Sequence, residues 1–178
     1  MEHILDTPLN GRRDQVWGFQ PIATPEARIL VLGSMPGVAS LKQAQYYAHP
    51  RNAFWPIAGR VLGFDPGLDY ALRLEALQAS GIALWDVLQA CERPGSLDAD
   101  IRPDTLVAND IAGFLQAYPG VVRICFNGAK AASLFRRHVL AALGGRKLEY
   151  VDLPSTSPAH AAASLETKLA AWERALKI

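Results

Sequence analysis

A chain of 178 residues, half of them apolar and a fifth charged, has the length of one domain of about 100–200 residues and an ordinary globular composition. No apolar run approaches the roughly 18–20 residues that span a bilayer, and Met1-Glu2-His3-Ile4 lacks the basic start and apolar stretch of a signal peptide, so a cytoplasmic protein without membrane contact is expected. Eighteen Lys and Arg against 17 Asp and Glu leave a formal charge of +1, which argues against a strongly basic nucleic-acid binder; any DNA must meet a local basic face.

Taken in chain order, residues 1–24 are rich in Pro, Gly and charge and read as an irregular lead-in on the surface of a single domain spanning 1–178. Arg28–Gly33 (RILVLG) is a near-continuous apolar strand that runs into the loop GSMPG. Tyr70–Ala79 sets Leu72, Leu74 and Leu77 among polar residues at helical spacing. Gly81–Asp86 (GIALWD) is a second strand, Asp110–Tyr118 a helix striped by Ile111, Phe114 and Leu115, and Val121–Asn127 (VVRICFN) a third strand. Ala129–Leu140 is helical, and Lys147–Leu153 (KLEYVDL) alternates as an edge strand does. In Ser164–Lys177, Leu165, Leu169, Trp172 and Leu176 follow at steps of four, three and four, an amphipathic helix with Ser164 as N-cap. Apolar strands alternating with helices predict an α/β fold, a three-layer α/β/α sandwich around a short, mainly parallel four-stranded sheet.

In such sheets ligands sit beyond the carboxyl ends of the strands, here the segments GSMPG, WDVL, FNGAK and PSTSP. Gly33, Pro36 and Gly37 form a tight loop through which backbone can approach a ligand; its spacing fits neither a dinucleotide nor a triphosphate fingerprint. Tyr46 and Tyr47 can supply a stacking platform, or pack on the core with wet hydroxyls. His49, before a proline, reads as a hydrogen-bonded structural residue or a catalyst. Asn52 can hold a water or read a base edge, and can also cap the helix that Phe54, Trp55 and Pro56 enter. Asp86 and Asn127 fall on the same rim and read equally as caps of following helices. Cys91 and Cys125 belong to no CxxC pair, so no metal and no cofactor is expected, and Cys125 reads as a small buried side chain.

GSMPG followed by YYAHPRNAFW resembles the first motif of the uracil-DNA glycosylase superfamily, closest to its deoxyinosine (hypoxanthine) branch. PSTSPAH at Pro154–His160 is similar to the second motif. The resemblance runs from about Gly18 to Leu176. It implies a monofunctional DNA glycosylase, a monomer acting on DNA that contains a damaged base. Tyr47 then matches the aromatic that stacks on the flipped base, with Tyr46 beside it. Gly33, Ser34, Met35, Pro36, Gly37, His49 and Asn127 fall on the base pocket. Ser155, Thr156 and Ser157 match the loop on the phosphates, and Ala159 and His160 stand where relatives carry an intercalating side chain. Arg51 and Lys130 join Lys42, Arg136 and Arg137 as basic candidates for the DNA face. Met35 departs from the family pattern: uracil-excising relatives place Asn or Asp there to position the attacking water. That task passes to Asn52 first and Asp86 second, and the apolar Met35 suits a larger purine ring.

A uracil or thymine mismatch glycosylase on the same fold is the main alternative. A non-catalytic nucleic-acid-binding module is the second, and the near-neutral charge speaks against it. A small-molecule hydrolase built on Asp86 and His160 lacks the G-x-S-x-G elbow.

Overall fold

The computed structural model describes residues 14–178; residues 1–13, and with them the start of the expected lead-in, lie outside the described residues. The first apolar run forms β2 (Ile29–Gly33), buried at every position. It lies between β3 (Ile82–Asp86) and β6 (Arg123–Asn127), and β7 (Glu149–Leu153) completes a sheet of order β3-β2-β6-β7 in which every pairing is parallel. Parallel neighbours need crossovers. Three helices, α1 (Val38–Gln43), α2 (Phe54–Leu62) and α3 (Tyr70–Ala79), lie between β2 and β3. Helix α4 (Ile111–Ala117) precedes β6, α5 (Ala129–His138) joins β6 to β7, and α6 (Leu165–Ala175) closes the chain.

Because side chains alternate along a strand, each central strand feeds two cores. Leu30, Leu32, Trp85, Ile124 and Phe126 pack against Ile111 and Phe114 of α4 and Leu134 and Phe135 of α5. Ile29, Val31, Leu84 and Cys125 pack on the other face against Phe54, Trp55 and Ile57 of α2 and Trp172 of α6. The result is the expected three-layer sandwich. Ser164 caps α6, its hydroxyl accepting from the Thr167 amide. β7 is an edge strand exposed along most of its length. β3, at the other edge, is buried throughout, because Ile22 exchanges two backbone hydrogen bonds of 2.9 Å with Leu84 and covers it.

Two expectations need correction. The lead-in is not irregular over all of 1–24, since Gln15–Trp17 is a strand, β1. Nor does the segment after Asp86 turn helical: Leu88–Glu92 is β4, paired antiparallel with β1 and with β5 (Val107–Ala108). Leu88–Glu92 contains good helix formers, but Val87 and Leu88 donate their amides to the Gly33 and Ser34 carbonyls. The chain is thereby held extended along the β2 loop, and tertiary pairing overrides propensity. Among the described residues no helix is long and apolar enough to cross a membrane, and no three His, Cys, Asp or Glu side chains gather as a metal site requires.

Candidate active site

The carboxyl ends of all four parallel strands open into one cavity of about 440 Å³, within the range of about 300–1,000 Å³ usual for ligand pockets. Gly33, Ser34, Met35, Pro36, Gly37, Tyr46, Tyr47, His49, Asn52, Asp86, Asn127, Lys130, Ser155, Thr156, Ser157, Ala159 and His160 all line it. Arg51 is exposed and stands outside. Residues far apart in the sequence thus meet because parallel strands end on one rim.

The floor is built on a register pair. Gly33 lies opposite Asp86, and a Cβ at Gly33 would sit 2.4 Å from Asp86 Oδ1 and 3.4 Å from the Tyr47 hydroxyl. Only glycine leaves room there. Gly33→Ala is therefore expected to fold less stably, by about 1–3 kcal/mol of overpacking, and to displace Asp86, which a thermal melt and an activity assay would register together.

Asp86 is 4% exposed, and its Oδ2 has no hydrogen-bond partner in the protein. Burial pushes its pKa up to about 7; Asp98 adds to the rise and the Arg93 guanidinium opposes it. No helix follows Asp86, so it caps nothing.

Tyr47 has a φ of 56°, left-handed backbone rare outside glycine, and stacks on Phe54 with ring centroids 4.2 Å apart. That backbone sets one face of the ring on Phe54, and Tyr47 lines the cavity. Burial and the Asp86 charge push its pKa up. Tyr46 makes no shared platform with it, the two rings being tilted by 46°. Its hydroxyl is not wet but donates to the Gln20 carbonyl at 2.8 Å, and its own carbonyl accepts from Trp55 Nε1 at 2.9 Å. Tyr46 anchors the loop from below.

His49 Nδ1 accepts from the Arg51 amide at 3.1 Å, which shapes the turn into Asn52. Asn52 Oδ1 accepts from the Phe54 amide at 2.9 Å. The N-cap of α2 is Ala53, which makes no side-chain capping bond, so Asn52 braces the first helical amide from one residue further out, and its Nδ2 donors remain for a ligand. Asn127 is different. It does not cap α5, whose N-cap is Gly128. Its Nδ2 donates to Thr156 Oγ1 and its Oδ1 accepts from the Thr156 amide, both at 2.9 Å, so the amide holds the motif-two loop, with its second Nδ2 proton left beside Tyr47. Thr156, 1% exposed, is buried with it, and its carbonyl accepts from the Ala53 amide at 3.0 Å.

Ser155 Oγ accepts from the Ser157 amide and Ser157 Oγ from the Ala159 amide, leaving both hydroxyl protons to donate. Ala159 and His160 are exposed at the tip, and the buried Lys168 donates to the His160 carbonyl at 2.8 Å. Met35 is 7% exposed and belongs to the core under β2, so little of its thioether reaches the cavity. Arg136 is engaged in a two-pronged bond to Asp152; Lys42 and Arg137 are exposed.

One wall was not anticipated. Ser96, Leu97, Asp98 and Ala99 line the cavity. Ser96 Oγ accepts from the Val38 amide at 2.8 Å, and the Ser34 hydroxyl donates to Asp98 Oδ1. Arg93, 1% exposed, donates from Nε to the Gly95 carbonyl and from Nη2 to that of Pro36. Burial lowers its pKa. Pro94-Gly95 is a turn dipeptide, but nothing in the sequence pattern says where the loop folds.

Comparisons with known proteins show the family. Residues 20–176 match the family model described as the uracil DNA glycosylase superfamily. The chain belongs to that superfamily. It is a DNA glycosylase, a hydrolase of the N-glycosyl bond between base and sugar. Relatives include a protein of Methanosarcina barkeri named hypoxanthine DNA glycosylase, 35% identical over 90% of this chain and 97% of its own. A protein of the same name from Methanosarcina acetivorans is 35% identical over 80% of this chain and 87% of its own. The NMR solution structure of a candidate uracil DNA glycosylase from Methanosarcina acetivorans superposes with a TM-score of 0.74 at 33% identity, covering 91% of this glycosylase and 98% of that chain.

Proposed function

We propose that this glycosylase, as a single monofunctional domain, flips hypoxanthine out of DNA and hydrolyses its bond to the sugar, leaving an abasic site. The observation that carries the reading is the pocket floor, where the partnerless Asp86 Oδ2 is buried near the Tyr47 hydroxyl at Gly33. The name of both curated relatives supports hypoxanthine as the base.

Flipping costs a few kcal/mol, least for a base that pairs poorly. Stacking on Tyr47 returns about 1–3 kcal/mol. Ser155 and Ser157 donate to phosphates, which fixes register without reading sequence. Bond cleavage develops positive charge on the sugar and negative charge on the base. Asn52 Nδ2, a donor only, holds the water or the departing base. The ionised Asp86 carboxylate accepts the proton of the attacking water and stabilises the cationic sugar. Met35 can do neither.

Duplexes carrying one inosine, uracil, xanthine or ethenoadenine, cleaved afterwards with alkali, test this. Alkali-dependent cleavage at inosine is expected, reduced about 10²–10³-fold in Asn52→Ala, the usual cost of removing one such donor. Excision of uracil in preference would move the assignment to the uracil reading, and strand scission without alkali would remove the monofunctional one.

A further inference from the structure

We infer that Asp98, held by Ser34, is a specificity-determining residue that accepts the ring N–H created when a base is deaminated. This rests on the reading of the cavity as the base pocket. Asp98 lines that cavity and accepts the Ser34 hydroxyl proton, so towards a ligand Ser34 Oγ can only accept. Asp98 itself is exposed on the cavity wall, and Asp86 Oδ2, buried and without a donor, adds an acceptor on the floor. Asp98 is fixed in place beforehand: Ser96 is tied to the start of α1, and Arg93 grips both the 95 and 36 carbonyls.

Charge placement says what Asp98 meets. Lys130 and the hydroxyls of Ser155 and Ser157, on the segments after β6 and β7, also line the cavity and suit phosphates. A carboxylate repels phosphates, so the only attractive partner DNA offers it is an N–H on a base. Adenine presents a lone pair at N1, whereas hypoxanthine presents N1–H; xanthine and uracil carry the same lactam N–H. Acceptors placed there favour hypoxanthine over adenine and uracil over cytosine, whereas guanine and thymine carry a lactam N–H of their own and are not told apart by it.

The test pairs the residue with the atom it reads. Excision of inosine is compared with that of nebularine, whose purine base lacks N1–H, by the wild type, Asp98→Asn and Ser34→Ala. In Asp98→Asn the amide oxygen can keep the Ser34 bond while its nitrogen turns a donor to the pocket. The inosine-over-nebularine ratio is expected to fall about 10–100-fold in Asp98→Asn and by less in Ser34→Ala, with unchanged melting temperatures. An equal loss on both substrates would overturn the inference and leave Asp98 a clamp of its loop. If the wild type spares inosine and excises uracil, the hypoxanthine reading fails by itself. The ratio is then taken between uracil and 3-methyluracil, and an unchanged ratio overturns the role of Asp98. A wild type silent on every base overturns both.

Discussion

Replacing Asp86 by Asn is expected to cut turnover on an inosine duplex by about 10²–10⁴-fold while making the folded protein more stable above pH 7. The two effects share one cause. Burial raises the Asp86 pKa from an ordinary 3.8 to about 7, so keeping the carboxylate ionised in the fold costs free energy. Because the folded value lies above the unfolded one, no penalty is felt below pH 3.8. It grows as pH rises and is complete above about 7, at roughly 4 kcal/mol. Asn carries no such penalty, so the variant's advantage in a denaturant melt should be absent at pH 4 and largest at pH 8. In the wild type, kcat should rise with pH through a midpoint near 7, and that limb should vanish in the variant. Lost activity with a flat stability difference between pH 4 and 8 would mean that Asp86 is not the titrating group.

Arg93→Met is expected to lower stability by about 2–4 kcal/mol. It removes the guanidinium from two backbone carbonyls inside the protein and from the charged neighbours around it. For a chain of this length the melting temperature should drop by roughly 5–15 °C. The variant carries a second signature. Arg93 holds the Asp86 pKa down, so without it the rising limb of kcat should move to higher pH. A melt that drops with an unmoved limb would confine Arg93 to fastening the 34–37 and 95–98 loops.

The parallel sheet and every helix but α1 were legible because β2, β3 and β6 are buried on both faces and so read as unbroken apolar runs, while α4 and α6 carry one-sided stripes. The second sheet was not legible. Gln15–Trp17 and Val107–Ala108 are too short to carry a period, and Leu88–Glu92 is extended only because of what it pairs with. The same limit governed the site. Gly33, Tyr47 and Asn52 sit in one dense motif and announce themselves, whereas Asp98 enters through a polar loop whose position depends on an arginine buried beneath it. Asn127 shows the converse: its place on the rim followed from the strand, but only three-dimensional proximity reveals that Thr156 takes up its amide.

Thr156 accepts from Ala53 at the start of α2 and is gripped by Asn127 at the end of β6. The two motifs, far apart along the chain, therefore close on each other through one buried residue. During synthesis the N-terminal motif leaves the ribosome long before the loop that completes it. No pocket exists until the last strand and its following loop have emerged, so a nascent chain stalled before Pro154 should engage no lesion, however well its first strands have already paired.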